Sequence, residues 1–219
     1  RHDLASLEFA AARDMKPGEP DILQKLALTT YKAMLPDDIS ALRDGLEIIR
    51  LLNPEASNDP ETAGVAGATT KPLWLSEGDR ESLDAAIQFY RRGFEVKRDY
   101  YNGENLALCF EFRAQVQAEH SEKVFDFMCA HKIRQMIVKS LLPLLDSPEF
   151  FDRPDKRWVY ATLANCYFAI ENPTEAEALE HKFLGAADAQ WEIDTYMTGK
   201  DELFAIRPER LATLSPAEK

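Results

Sequence analysis

Residues 5–17, ASLEFAAARDMKP, are the clearest indication of the fold, because their spacing of small, aromatic and proline residues recurs further along the chain. Ala5, Phe9 and Ala12 stand at offsets 0, 4 and 7, and Pro17 follows at offset 12. Such offsets place the first three residues on one stripe of a helix, where small side chains let a neighbouring helix approach closely. A proline just past the helix stops it from continuing. The same offsets, with or without the closing proline, recur at Leu42, Leu46, Ile49 and Pro54, and at Ala86, Tyr90 and Gly93.

The closing prolines Pro17 and Pro54 are 37 residues apart, near the roughly 34 residues of a tetratricopeptide repeat. No segment alternates apolar and polar residues as a half-buried strand does. The sequence therefore predicts an all-α, tetratricopeptide-like α-solenoid, a right-handed superhelix of about ten helices in antiparallel pairs. The detailed register of that repeat is matched further along the chain by Leu163, Ala164, Tyr167 and Ala176.

The predicted organisation is a single helical-repeat domain over residues 1–207, followed by a flexible tail over residues 208–219 that begins at Pro208. Within the domain we expect a turn at residues 99–103. The chain begins with Arg1, and its first helix resembles the second half of a hairpin. We therefore expect it to be a fragment of a longer protein.

The charge balance restricts the class of partner. Lys and Arg number 26 against 38 Asp and Glu, a net charge of −12, while 45% of residues are hydrophobic. Duplex nucleic acid and anionic membranes would be repelled, so we expect a protein or peptide partner. A negative surface also favours solubility without binding anything. The sequence does not indicate an oligomeric state.

Cysteine usage indicates the compartment. Cys109, Cys129 and Cys166 are odd in number, widely spaced and embedded in apolar helical sequence, which is typical of reduced thiols and not of a disulfide framework. The sequence contains neither a long apolar run of membrane-spanning length nor a signal-peptide pattern. A cytoplasmic location is the expectation.

Two neighbouring segments resemble a known family. Residues 83–95, LDAAIQFYRRGFE, carry an Ala-Ile-x-x-Tyr-x-x-Gly-Phe pattern, and residues 100–107, YYNGENLA, carry Tyr-x-Gly-x-Asn. Both are similar to the central regulatory region of apoptosis signal-regulating kinases, also described as the TRAF-binding domain of MAP kinase kinase kinases and found in bacterial proteins too. The resemblance covers residues 55–205 and departs from the family at residues 68–72 and in a long helix from Ser121.

This resemblance implies a non-catalytic scaffold that binds a partner and regulates a linked effector domain. The chain itself has no kinase signature, since it lacks a Gly-rich phosphate loop and the His-Arg-Asp and Asp-Phe-Gly motifs. Nor does the sequence present a paired acid and base or an activated nucleophile. We expect no enzymatic activity from this chain.

The repeat register predicts which residues face a concave peptide-binding groove, because the first helix of each pair lines that surface. Lys32 and Arg113 could clamp a carboxylate there, and Asn105 and Asn165 could bond a peptide backbone. Tyr101 stands in a turn where it either contacts a ligand or packs between repeats. The predicted partner-binding set is Tyr31, Lys32, Tyr101, Asn105, Phe112, Arg113 and Asn165, and Gln24 faces the same groove in this register.

No metal or cofactor is expected. His120, Cys129 and His131 have ligand chemistry, but a helix places Cys129 and His131 on different faces and no fourth ligand lies at a usable spacing. Gly64-x-x-Gly67 is too short for a phosphate cradle, and close helix packing accounts for it. Two other functions remain open: a small-ligand sensor or helical enzyme with a pocket near Tyr101, Arg113 and Trp158, and a structural spacer or oligomerisation arm.

Overall fold

The structure, a computed structural model, describes residues 2–215. These residues form ten α-helices and two short 3₁₀ helices, and none of them lies in a β-strand. The α-helices are α1 (His2–Met15), α2 (Pro20–Ala33), α3 (Asp38–Arg50), α4 (Pro60–Glu77), α5 (Arg80–Lys97), α6 (Tyr100–Val116), α7 (His120–Leu141), α8 (Lys156–Ala169), α9 (Pro173–Ala186) and α10 (Gln190–Leu214), with the 3₁₀ helices Leu142–Asp146 and Pro148–Asp152 between α7 and α8. No helix within residues 2–215 combines the length and apolar character needed to cross a bilayer.

Aspartates fix the starts of three helices in the first half of the chain. The side chain of Asp37 accepts a hydrogen bond from the Ser40 amide, and Asp59 and Asp79 accept bonds from the first turns of α4 and α5. Each carboxylate satisfies backbone N–H groups that have no partner inside the helix.

The described chain divides into two compact units, the first ending at Asn102 and the second beginning at Gly103. In the first unit, α1 packs against α2, α2 against α3, α3 against α4, and α4 against α5. In addition, α2 packs against α4. In the second unit, α8 packs against α7 and α9, and α10 packs against α7 and α8. The prediction of an all-α fold of paired helices is confirmed; a single domain over residues 1–207 stays a prediction.

The stripes that predicted the fold form the core of the first unit. Leu42, Leu46 and Ile49 of α3 are buried against α4, and Ala86 and Tyr90 are buried on α5. The matching stripe of α1 is only half-buried, because α1 packs mainly on α2. The core cluster comprises Ala27, Leu42, Leu46, Ile49, Val65, Ala66, Leu73 and Phe89.

Two local expectations are wrong. The predicted turn at residues 99–103 is the start of α6, and Gly103 is helical: among described glycines only Gly18 and Gly78 have positive φ. The predicted tail from Pro208 is helical as far as Leu214, because α10 continues through that proline to a buried Arg210. Residues 216–219 of that tail lie outside the described residues.

Candidate partner-binding surface

The ring of Tyr101 lies over α4 in the first unit. A methyl group built on Gly64 would be 3.2 Å from Cε1 of Tyr101, so the absence of a side chain at Gly64 makes room for the ring. Tyr101 also meets Tyr90 edge to face, with ring centroids 6.3 Å apart, a favourable aromatic arrangement. It is nevertheless 49% exposed. Tyr101 therefore packs between helices and presents a surface to solvent at the same time.

Asn102 holds the start of α6 in place. Its backbone N–H donates to Oδ1 of Asp99 at 2.9 Å, and its Nδ2 donates to Oδ2 of Asp99 at 2.9 Å and to the Pro60 carbonyl at 3.2 Å. The amide lies against Gly93 of α5, where a methyl group would be 2.5 Å from its Cγ. Because Asn102 is buried and bonded on two sides, it fixes the position of the neighbouring Tyr101.

Tyr31, Glu61 and Tyr101, each on a different helix, share one electrostatic environment. Burial of its hydroxyl end raises the pKa of Tyr101 to about 12; the Glu61 charge acts in the same direction, and a hydrogen bond to Tyr90 opposes both in part. Burial, followed by the proximity of Tyr101 and Glu61, raises the pKa of Tyr31. Both phenols are therefore protonated at neutral pH and can donate hydrogen bonds. We call Tyr31, Glu61 and Tyr101 the tyrosine–carboxylate patch.

Further carboxylates surround Glu61. Burial raises the pKa of Glu61, and the charges of its acidic neighbours raise it further. Of these neighbours, Asp59 is engaged as the cap of α4, whereas the side chain of Glu61 forms no hydrogen bond or ion pair with a described residue. The first turns of α2, α4 and α6 thus concentrate negative charge beside the patch, from Asp21, Asp59 and Asp99.

Two other predicted groove residues of the first unit have different surroundings. Lys32 is exposed on α2, next to Tyr31. Gln24 is buried instead of lining a groove, and its Nε2 donates to the Thr62 hydroxyl at 2.8 Å and to Asp59. Gln24 thereby ties α2 to the start of α4, since the N–H donors of its buried amide find acceptors there.

Phe112 and Arg113 lie in the second unit and are engaged within it. Phe112 is buried. Arg113 forms a two-point ion pair with Asp126 of α7, with distances of 2.9 Å from Nε to Oδ2 and 2.6 Å from Nη2 to Oδ1. Gln117 donates to the same carboxylate at 3.0 Å. The structure thus gives Arg113 an intramolecular carboxylate where a partner's carboxylate was expected.

The two predicted asparagines also lie in the second unit. Asn165 is buried on α8 and donates to Oε1 of Glu104 at 2.9 Å, and the neighbouring Thr162 hydroxyl donates to Oε2 at 2.7 Å. Asn105 is half-buried on α6. Glu104 of α6 is therefore joined to α8 by Asn165, whose side chain was expected to bond a peptide.

Sequence reasoning missed a buried charge network in the second unit. Glu111 of α6 accepts hydrogen bonds from Arg134 of α7 and from Arg210 of α10, and all three side chains are almost fully buried. A lone acid inside the apolar run LALCFEF was the available signal, because an ionised group there needs a counter-ion. Arg210 gave no signal, since it lies in the segment expected to be a tail.

An open cavity of about 290 Å³ lies elsewhere in the first unit, between α3, α4 and α5. It is lined by both charges and apolar side chains, and Arg43 is paired there with Glu77 at 2.7 Å. Neither Tyr101 nor the other residues expected around a sensor pocket line it.

Helices that pack in adjacent pairs, with small residues where they cross, define the class of tetratricopeptide-type repeat proteins. Residues 1–110 match the family model TPR-S, described as Tetratricopeptide Repeats-Sensor. The chain belongs to this family.

Two solved structures are similar to this chain. A thermophilic TPR protein of Thermus thermophilus superposes with a TM-score of 0.57 at 18% identity, over 98% of this chain and 91% of that one. MamA has a TM-score of 0.48 at 15% identity, over 84% of this chain and 87% of its own. The first likeness shows the shared fold. Among curated proteins no match was found.

Proposed function

We propose that this chain is a non-catalytic, cytoplasmic interaction and regulatory module that binds a basic peptide segment of a protein partner. One observation carries the proposal: Tyr31, Glu61 and Tyr101 come from three separate helices, and they lie close enough together that Glu61 raises the pKa of both tyrosines and Tyr101 raises that of Tyr31. Tyrosines supply large contact area at low entropic cost together with a hydroxyl group. The neighbouring carboxylates favour a positively charged segment.

Binding would regulate a linked effector domain, as the resemblance to the TRAF-binding region of apoptosis signal-regulating kinases implies. The resemblance rests partly on Gly93 and Tyr101, and Gly93 lies against Asn102, the neighbour of Tyr101 at the start of α6. Lys32 would border the site. The engaged side chains of Asn105, Phe112, Arg113 and Asn165 make the second unit a less accessible surface, so their role in binding stays a prediction.

The experiment measures peptide binding by fluorescence anisotropy on the full chain. Three sets of labelled peptides, rich in Lys and Arg, rich in Asp and Glu, or neutral, are compared. We expect the basic set to bind, and Tyr101→Ala and Glu61→Gln each to weaken binding by about tenfold. Glu95→Gln, which removes one exposed carboxylate from α5, is the matched control and should bind normally.

Equal binding of acidic and basic peptides, or an equal loss in Glu95→Gln, would refute the proposed surface. In the full-length protein, Glu61→Gln is expected to abolish the partner-dependent change in effector output. If peptides bind as expected but the effector output does not change on binding, the proposed regulatory role is refuted and the proposed binding surface is not.

A further inference from the structure

Glu111 is a buried carboxylate that pairs with two guanidinium groups, those of Arg134 and Arg210. It is 0% exposed and accepts from Nη1 and Nη2 of Arg134 at 2.7 and 2.6 Å. Nη1 of Arg210 adds a third hydrogen bond at 2.7 Å. Because Arg134 alone already makes a two-point pair with Glu111, the second guanidinium is additional to the pairing that a buried carboxylate requires.

The last turns of α10, residues 207–214, are held against the rest of the second unit mainly by ion pairs. Arg207 donates to Glu171 at 3.1 Å, Glu209 accepts from Lys123 at 2.7 Å, and Arg210 reaches both Glu111 and Glu171. Arg210 is the one buried residue among residues 207–215. Apolar burial ends before Pro208, with Leu203 and Ile206. We call residues 207–214 the strap.

Release of the strap would leave no fully buried charge unpaired, since Glu171 and Lys123, which would lose their partners, are 33% and 25% exposed. Glu111 would keep its two bonds from Arg134, and the three cationic or anionic side chains of the strap would move into water. Removing one member of a buried ion pair is costly chiefly when its partner is left unpaired. The strap therefore differs from an apolar helix end, whose release would expose a hydrophobic core.

We propose that the strap covers a binding position for a guanidinium group on Glu111, and that an arginine-containing segment of a protein partner displaces it by placing its guanidinium where Arg210 lies. A planar guanidinium fits this position because it can pair with carboxylate oxygens while packing against Arg134 and the helix faces. The position lies in the second unit and does not depend on the tyrosine–carboxylate patch of the first.

The direct test adds in trans a peptide that contains the strap and the four residues before it. A labelled peptide of residues 203–214, LFAIRPERLATL, is titrated into the full chain and into its Arg210→Ala variant, whose folding is verified by circular dichroism. We expect the peptide to bind the variant about tenfold or more tightly than the unsubstituted chain, where the position is covered. A peptide with Ala in place of Arg210 is expected not to bind. Equal binding of the two peptides, or no binding to the folded variant, would overturn the proposal.

A second measurement tests release without touching Glu111. Lys123→Glu repels Glu209, and the exchanged pair Lys123→Glu/Glu209→Lys restores the attraction. We expect backbone amides of residues 207–214 to exchange hydrogen about tenfold faster in the single variant and at the original rate in the double variant, while α8 is unaffected. If the strap exchanges only together with the whole unit, it is a fixed part of the fold and the proposal is wrong.

Discussion

The ring of Tyr90 on α5 lies directly against the backbone of Gly67 on α4: a methyl group built on Gly67 would be 2.6 Å from Cζ of the ring. Tyr90 is almost fully buried and cannot move aside. We therefore expect Gly67→Ala to lower the free energy of unfolding by about 1–3 kcal/mol, the usual cost of overpacking a core. Urea denaturation measures this change.

Gly185 on α9 provides the matched control. Nothing lies within 4 Å of a methyl group at Gly185, so Gly185→Ala should be neutral or stabilising by up to about 1 kcal/mol, as alanine is the better helix former. Equal destabilisation by the two substitutions would show that the contact between Gly67 and Tyr90 is not what excludes a side chain.

Asn102 is expected to be intolerant of both truncation and charge. Asn102→Ala removes the bonds to Asp99 and to the Pro60 carbonyl and should cost about 1–3 kcal/mol, the penalty for an unsatisfied buried group. Asn102→Asp would place a second carboxylate beside Asp99, so its loss of stability should be larger at pH 7 than at pH 4, where carboxylates become protonated. Thermal melts at both values test this, and a pH-independent difference would argue against the contact.

The sequence predicted the helices well because their stripes are periodic, as Leu42, Leu46 and Ile49 illustrate. It failed where isolated polar side chains decide the structure. The start of α6 depends on the hydrogen bonds of Asn102 to Asp99, which no periodicity encodes. Arg210 was missed because Pro208 is normally a helix breaker, whereas the helix continues through Pro208 to Leu214 and Arg210 pairs with Glu111.

The same limit applies to the predicted site. Residue type identified Arg113 as a cation suited to a carboxylate, but not that the carboxylate is Asp126 of the next helix. The repeat register predicts that Tyr31 faces a groove, and Tyr101 is expected either to contact a ligand or to pack between repeats. Their common proximity to Glu61 depends instead on how three helices pack. Spacing within a helix predicts a face; it does not predict which residue of another helix meets that face.

Arg113→Ala is expected to lower the free energy of unfolding, whether or not Arg113 contributes to binding. It leaves Asp126, which is fully buried, with Gln117 alone, and removal of one partner from a buried ion pair typically costs about 3–5 kcal/mol. Lys32→Ala, at an exposed position, should change stability by no more than about 0.5 kcal/mol. Chemical denaturation compares the two, and a mild effect of Arg113→Ala would show that Asp126 does not depend on it.

The three thiols should differ in reactivity. Cys109 and Cys166 are buried, and burial raises the pKa of Cys166, so the nucleophilic thiolate is scarce there. Cys129 is only half-buried. We expect a thiol reagent such as 5,5′-dithiobis(2-nitrobenzoate) to modify Cys129 first in the native protein, and Cys129→Ser to remove the fast phase. A fast phase that persists in Cys129→Ser would mean that a buried thiol becomes accessible.

The Glu111 network should make stability depend on acid pH. Burial raises the pKa of Glu111, but the charges and hydrogen bonds of Arg134 and Arg210 outweigh burial, and the pKa is lowered overall. A carboxylate with a lowered folded-state pKa stabilises the fold fully above its unfolded value of about 4.3, and that contribution is lost as the pH falls through the folded value.

The stability difference between the unsubstituted chain and Glu111→Gln should therefore be largest at neutral pH and shrink as the pH falls below about 4. Glu171 faces Arg207 and Arg210 and its pKa is also lowered, so the experiment is repeated in a Glu171→Gln background. Urea denaturation between pH 7 and pH 3 provides the measurement. If the difference stays constant across this range in both backgrounds, the ionised form of Glu111 is not what the two arginines stabilise.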